Sequence, residues 1–375
     1  MYAIVVASHS GFALNLLRSL TGVVSDAFVI GVISPLWRIA HPGRFLPIDI
    51  DESDANVELL VQAINRIAAD HPDCVAIPAD TIAGGMLIAA APSLRCALFP
   101  SPSRPLLDAF EEKWLFYELC RRHGISTPRS LLIGKKDERP FRDLSQVLEP
   151  PLVVKPTNRM GGEGVVVVAD PDEYASKILL NPAYPFAPLM AQEFIPGRDI
   201  DISILAAGGK VLCSAVQTKV GKVIRFLENR RLLAMIETLV KETEFSGVCH
   251  FDAREHEKDG SLWIVDANPR FWGSLDAARW CGLNFTAAGL ATALKQQVCE
   301  PAILIEGHYP GLPAAILRMV SGRLDDAERG RHQRAFLRNI LADPSEYVIG
   351  LGDGIKALWS KLRRIVDGRI TRTRP

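Results

Sequence analysis

The stretch VVKPTNRMGGEGVVVV (153–168) constrains this chain more than any other. Two runs of β-branched residues flank a loop with three glycines, and a lysine closes the first run. Runs of this kind are strands, so the glycines join strand to strand. The loop lacks the GKS or GKT ending of a P-loop, and it lacks the following helix that a dinucleotide fingerprint requires. Gly161, Gly162 and Gly164 instead read as the tip of a hairpin, where backbone N–H groups can surround phosphate oxygens with no Cβ in the way. Such a tip can close over a polyphosphate like a lid, with Lys155 within reach of the same oxygens. A plain glycine-rich turn beside a surface lysine is the alternative.

A second stretch carries acids. In GVCHFDAREHEKDGSLWIVDANPRFWGS (247–274) two apolar runs flank a turn at Asp259-Gly260, with Asp252 and Asp266 placed symmetrically about it. A hairpin brings these carboxylates together, and Asp266 and Asn268, two apart, share a strand face. Two carboxylates and an amide oxygen make a hard oxygen site suited to Mg²⁺, and two anions held this close repel unless a cation intervenes. Arg270 follows, placed to neutralise a transferred phosphoryl or carboxylate group. Solvated acids beside a turn are the alternative, weakened by the apolar runs around both. Between the two stretches, MAQEFIPGRDIDISIL breaks at Pro196-Gly197. A strand ending at such a turn leaves backbone groups for an adenine edge, and Asp199 just beyond could accept from ribose hydroxyls.

Around these motifs the pattern divides the 375 residues into regions. Residues 1–104 alternate apolar strands (YAIVVAS, FVIGVIS, CVAIPAD) with helical stretches, which indicates a parallel sheet with covering helices. The proline-rich FPSPSRP marks a boundary. Residues 105–306 are mostly antiparallel strands with interspersed helices. Residues 307–375 read as a helical appendage with a basic end.

These pieces, in this order, resemble the ATP-grasp superfamily of carboxylate–amine ligases, with its carbamoyl-phosphate-synthase-like fold, from about Leu106 to about Leu290. The matching features are Lys113 in EEKW, Lys155 in VVKP, the flap GGEG, the hinge QEFIPGRD, and Asp252 with DANPR, five in order over about 160 residues. The resemblance implies an α/β and α+β chain: a Rossmann-like domain, then a two-lobed ATP-grasp core with a flap lobe at about 125–193 and a metal-binding lobe at about 194–306. By similarity, Lys113 and Lys155 contact ATP phosphates beneath Gly161, Gly162 and Gly164. Gln192 and Ile195 hold adenine through backbone groups with Glu193 nearby, and Asp199 takes the ribose. Asp252, Asp266 and Asn268 hold one or two Mg²⁺, with Mn²⁺ as a substitute. Arg270 steadies an acyl-phosphate, and the turn at Gly273-Ser274 offers N–H groups to an oxyanion. The implied reaction is two-step: a carboxylate takes the γ-phosphoryl group of ATP, then an amine displaces phosphate. A phosphotransferase, a carboxyphosphate-forming enzyme and a non-catalytic nucleotide-binding scaffold are the competing readings.

The chain departs from the pattern in carrying Asp252 and Asp266 where glutamate is frequent, and Glu112 where aspartate is frequent before the first lysine. The segment with Lys219, Arg225 and Arg230 looks short for the family, and these three read as solvated charges. Ser8 and His9 follow the first strand, where parallel sheets bind ligands, and read first as structural. His250 lies two residues from Asp252 on the same face, as a structural histidine or a neighbour of the metal region. Trp272 either packs or walls the substrate pocket.

The charges balance, 43 basic against 43 acidic, which argues against nucleic acid as a partner. Seven scattered cysteines without CxxC spacing argue against zinc and disulfides, and the opening residues lack the basic n-region of a signal peptide. The expected setting is the cytoplasm. The stretch 355–366 is a basic amphipathic helix by pattern (Ile355, Leu358, Trp359, Leu362, Ile365, Val366), packed on its own domain or lying on a membrane surface. A homodimer is a further expectation.

Overall fold

The computed structural model describes residues 1–221, 223–296, 302–311, 314–315, 317, 321 and 327–342. The helix expected at 355–366 lies outside them. The chain divides into two compact units, one of residues 1–99, 273–294 and 314–375, the other of residues 100–272 and 295–313. No helix among the described residues is long and apolar enough to cross a membrane.

The first unit holds a five-stranded parallel sheet. Its strands are β1 (Tyr2–Ala7), β2 (Asp26–Gly31), β3 (Phe45–Leu46), β4 (Cys74–Pro78) and β5 (Ala97–Leu98), in the order β3-β2-β1-β4-β5. Helices α1 (Ser10–Leu20), α2 (Pro35–Ala40), α3 (Asp54–Asp70) and α4 (Thr81–Ala90) connect them. Strands β1 and β4 are buried nearly throughout, which is why they read as continuous apolar runs rather than alternating ones. The two-residue strands β3 and β5 carry no readable period.

Helix Leu275–Trp280 belongs to this unit and buries Asp276, whose Oδ1 has no hydrogen-bond partner among the described residues. Burial pushes its carboxyl above the ordinary value, against the opposing pull of Arg18 and Arg279. A carboxyl raised on folding favours the native state at low pH, and that contribution is lost as pH rises through the folded value. Asp276→Asn is therefore expected to melt higher than the parent at neutral pH. The gap should close below about pH 4, the ordinary carboxyl range, in paired thermal melts.

The second unit is built on two sheets, antiparallel apart from one parallel pairing of a three-residue strand. Helices α5 (Arg104–Glu111) and α6 (Lys113–Arg122) open it. A four-stranded sheet follows, of β6 (Ser130–Ile133), β7 (Leu152–Pro156), β8 (Val166–Val168) and β9 (Leu189–Glu193), in the order β6-β9-β7-β8. The larger sheet has β10 (Gly197–Ala207), β11 (Lys210–Val220), β12 (Val223–Leu227), β13 (Gly247–His256), β14 (Leu262–Asn268), β15 (Ala302–Leu304) and β16 (Glu306–Tyr309). Its path is β14-β13-β10-β11-β12-β16, with β15 on β11.

The larger sheet has two unlike faces because its strands alternate. Ile200, Ile202 and Ile204 of β10 and Cys249, Phe251 and Ala253 of β13 enter one core. Phe110 and Phe116 join them from α5 and α6, with Leu232, Ile236, Leu239 and Val240 from helix Arg230–Glu242. Side chains of this size contribute roughly 1.5–3 kcal/mol each when fully buried. The residues between them, Asp199, Asp201 and Ser203 on β10 and His250, Asp252 and Arg254 on β13, are left on the opposite face.

Gly197 begins β10 at φ +143°, and a Cβ there would lie 2.0 Å from the Glu255 carbonyl oxygen. Both the backbone angle and the contact reject a side chain. Gly197→Ala should cost about 3 kcal/mol or more, read as a fall in the urea midpoint at unchanged slope.

Candidate active site

Strand register assembles the acids. Asp252 on β13 is the cross-strand partner of Asp266 on β14 and, on its other side, of Asp201 on β10. Gln217 on β11 extends the row beyond Asp201. A second row holds Ser203, His250 and Asn268. Three carboxylates thus stand abreast on three adjacent strands. Asp201 is one the motif spacing did not single out, although DIDIS alternates as plainly as HFDAR.

The β13–β14 ladder slips once. Asp252 pairs with Asp266 but Ala253 pairs with Ile264, so Val265 is an extra residue, a β-bulge. The slip lets Ile264 and Ala267 both reach the core while Asp266 and Asn268 face the acids. It also turns the Val265 carbonyl outward, where it accepts the Lys155 ammonium at 2.9 Å. Lys155 is only 5% exposed. Its burial drives its pKa below the ordinary lysine value; Asp266 and Asp252 pull it up, while Lys113 adds to the fall. An ammonium held this way is poorly compensated without a further anion beside it.

Lys113 starts α6, whose N-terminus is capped by Glu112 through Leu115 N–H at 2.6 Å. The acid before this lysine therefore has a structural task. The Lys113 ammonium pairs with Asp266 at 3.1 Å and donates to the Arg159 carbonyl at 2.8 Å, at the root of the glycine loop. A lysine at a helix N-terminus adds its charge to the positive end of the helix dipole, so together they favour an anion.

Asp252 divides its two oxygens. Oδ1 lies 3.4 Å from His250 Nε2, and Oδ2 lies 3.3 Å from the Asn268 amide nitrogen. Burial raises its carboxyl, but His250, Lys155 and Asn268 outweigh that, and it titrates below the ordinary value. Arg270 donates to the Asn268 amide oxygen at 3.0 Å. The residues expected at the phosphate and metal end, Lys113, Lys155, Asp252, Asp266, Asn268 and Arg270, are thus brought into one connected group. The donor set fits a hard divalent cation once Asn268 turns its amide about the terminal bond to present oxygen. Asp201 is driven up to about 6 by burial, with Asp252 adding to it and His250 and Gln217 opposing.

Strands β7 and β8 pair antiparallel from Leu152↔Val168 to Val154↔Val166, and residues 157–165 form the loop between them. Gly161, Gly162 and Gly164 all have positive φ, at 65°, 75° and 74°. A Cβ on Gly161 or Gly162 would meet nothing within 4 Å, whereas one on Gly164 would strike Pro156 and Phe186. The first two glycines are open and the third is packed.

The hinge residues form a second network. Gln192 lies in β9 between β6 and β7, paired with Ser130 and Val153, and its side chain donates to Ser130 Oγ at 3.1 Å. Its backbone therefore sits inside the ladder rather than at an open edge. Glu193 pairs with Arg129. Past the strand end, the Ile195 carbonyl accepts Arg254 Nε at 2.6 Å, and Arg254 also pairs with Asp199, a largely exposed acid. Arg254 was not a motif residue, yet it follows Asp252 at spacing two on the same face.

Other candidates sort plainly. Lys219, Arg225 and Arg230 are exposed, and Arg230 pairs with Glu228. Gly273 and Ser274 cluster with the first unit. In that unit Ser8 donates to Asp80 and lies 2.8 Å from His9 Nδ1, at the carboxyl ends of β1 and β4. Trp272 is buried and stacks on His250, ring centroids 5.7 Å apart.

Two largely antiparallel sheets, one with a glycine-tipped hairpin and the other with paired carboxylates, define a nucleotide-grasping architecture. Comparisons agree. Residues 110–239 match the family model described as RimK-like ATP-grasp domain. Residues 185–307 match the one described as ATP-grasp in the biosynthetic pathway with Ter operon. Across residues 110–307 the chain belongs to the ATP-grasp superfamily. D-aspartate ligase of Enterococcus faecium is 21% identical over 213 residues, 48% of each chain. D-alanine–D-alanine ligase of a Synechococcus species is 29% identical over 111 residues, 29% of this chain and 33% of the relative. The chain thus spans about half the length of the first of these relatives and a third of the second. Among solved structures, carboxyaminoimidazole ribonucleotide synthase of Aspergillus clavatus with ATP superposes at TM-score 0.64 and 16% identity. That match covers 80% of this chain and 79% of the other. L-amino acid ligase of Bacillus licheniformis gives TM-score 0.56 at 19% identity, covering 79% and 74%. These structural matches support the fold.

Proposed function

We propose that this chain is an ATP- and Mg²⁺-dependent ligase that joins a carboxylate to an amine through an acyl-phosphate. One observation carries the reading. Two lysines, one of them buried, converge on β14 beside a pair of cross-strand carboxylates, and Lys113 also holds the root of the glycine-tipped loop. That is an arrangement for polyphosphate and cation together. The ligases among the relatives act in the same sense.

In this reading Lys113 and Lys155 bind phosphate oxygens, the open glycines at 161 and 162 bring N–H groups over them, and the core excludes water. Asp252, Asp266 and Asn268 hold Mg²⁺, which when bound offsets negative charge on the phosphoryl oxygens. Ile195 and Asp199, beyond the end of β9, face the nucleoside. Arg270 holds the substrate carboxylate and then the acyl-phosphate. The substrate oxygen takes the γ-phosphoryl group and ADP leaves. The amine nitrogen then attacks the acyl carbon, phosphate leaves, and the nitrogen gives up its proton. No covalent bond to the protein forms.

The test is release of ADP and phosphate from Mg-ATP against pools of amino acids and small carboxylates. Release that requires both a carboxylate and an amine supports the ligase. Release with a single substrate, bicarbonate included, overturns it in favour of a phosphotransferase or carboxyphosphate former. Nucleotide binding without turnover in any pool favours a scaffold.

A further inference from the structure

We infer that Asp201, His250 and Asp252 form a second, chemically distinct cation position, with one nitrogen ligand, that takes Mn²⁺ or Zn²⁺ in preference to Mg²⁺. One ligand atom from each of the three lies within 4.8 Å of the others. His250 Nε2 is 3.4 Å from Asp252 Oδ1 and 4.0 Å from Asp201 Oδ2. Ligand bonds of about 2.1 Å place tetrahedral neighbours roughly 3.4 Å apart, so the first distance already matches and the others close by small side-chain rotations.

The surroundings are those of a prepared ligand set. Ser203, buried on β10, holds His250 Nδ1 at 2.8 Å, which directs Nε2 at the carboxylates. A metal-binding histidine characteristically has its second nitrogen engaged in this way. Trp272 stacks on the imidazole and holds its plane. Gln217 hydrogen-bonds Asp201. These partners come from β10, β11 and the segment after β14, so the three ligands are fixed from several sides.

The position is separate from the oxygen set. Asp252 turns Oδ1 toward His250 and Oδ2 toward Asn268, and a carboxylate so divided can bridge two cations. Imidazole nitrogen suits Zn²⁺ and later transition metals, whereas Mg²⁺ favours oxygen and water. The inference shares Asp252 with the proposed ATP site but does not require ligase activity.

The experiment adds Mn²⁺ to the nucleotide-free full chain and records nitrogen-14 coupling by pulsed electron paramagnetic resonance, with roughly 100-fold excess Mg²⁺ as competitor. ATP binding is followed in parallel aliquots of the same protein, so failure of the nucleotide reading registers separately. The expected result is coupling to one imidazole that survives Mg²⁺, disappears in His250→Gln and falls at least tenfold in Mn²⁺ affinity in Asp201→Asn. Asp266→Asn should retain it. Three outcomes overturn the inference: Mn²⁺ bound by the parent protein without nitrogen coupling, coupling that persists in His250→Gln, or coupling lost equally in Asp266→Asn. The first uses the unaltered protein and does not depend on any variant folding.

Discussion

Lys155→Met is expected to leave a folded protein that no longer holds ATP. The ammonium is buried, its one described hydrogen bond goes to the Val265 carbonyl, and burial has already pushed its pKa down. Met fills similar volume without a charge, at the cost of one unpaired carbonyl, about 1 kcal/mol. The relief of a desolvated charge is of comparable or larger size, so the ligand-free variant should melt no lower than its parent. The sign with pH is defined. A lysine whose pKa is lowered on folding favours the unfolded state, which binds the extra proton, at pH below the ordinary lysine value. The parent should gain stability relative to Lys155→Met as pH rises toward about 10.4. With ATP the order reverses: the parent is stabilised by binding and the variant is not. Turnover should fall about 10³-fold, the scale of losing one preorganised charge-stabilising group. A variant that binds ATP as the parent does would remove Lys155 from the phosphate site.

The second large effect is expected at Asp266→Asn. The amide keeps one oxygen for the Ala267 N–H, 3.0 Å from Oδ1 in the parent, but puts NH2 in place of the Oδ2 that pairs with Lys113 at 3.1 Å, so the lost contact should cost roughly 1 kcal/mol. Opposite carboxylates on paired strands repel, and removing one charge of the Asp252–Asp266 pair partly compensates any loss. What disappears is a negatively charged oxygen for the cation. The kcat/KM for Mg-ATP should fall by about 10³, roughly 4 kcal/mol at about 1.4 kcal/mol per tenfold. Asp259→Asn, in the exposed turn of the same hairpin, removes equal charge and should change kcat/KM less than twofold. Equal losses in both variants would assign the effect to overall charge and not to a cation site.

Much of this geometry was legible along the chain because it is local. The Gly161–Gly164 loop had to join two strands, since β-branched runs flank it on both sides, and β7 and β8 do pair across it. Asp252 and Asp266 are symmetric about a turn, and an antiparallel hairpin converts that symmetry into a cross-strand pair. The ATP-grasp resemblance, read from five motifs in order, agrees with two family models and with the fold. In contrast, the hinge motif suggests open backbone at Gln192, whereas that residue lies in a central strand with neighbours on both sides. Strand order within a sheet decides which edges are open, and alternation does not encode strand order.

The sequence by itself determined which residues share a face and which loops turn, because strand period and glycine conformational freedom act over a few residues. Tertiary structure alone decided three things. It set β10 beside β13, which brings Asp201 next to Asp252 from about fifty positions away. It placed the extra residue of the β13–β14 ladder at Val265, the carbonyl that Lys155 uses. It also gathered residues 273–294 into the unit of the parallel sheet. Each is a matter of register or packing between segments and not of any one segment's own pattern. Such choices are settled by which arrangement buries Phe251, Ile264 and their neighbours together, a property of the whole core and not of any local spacing.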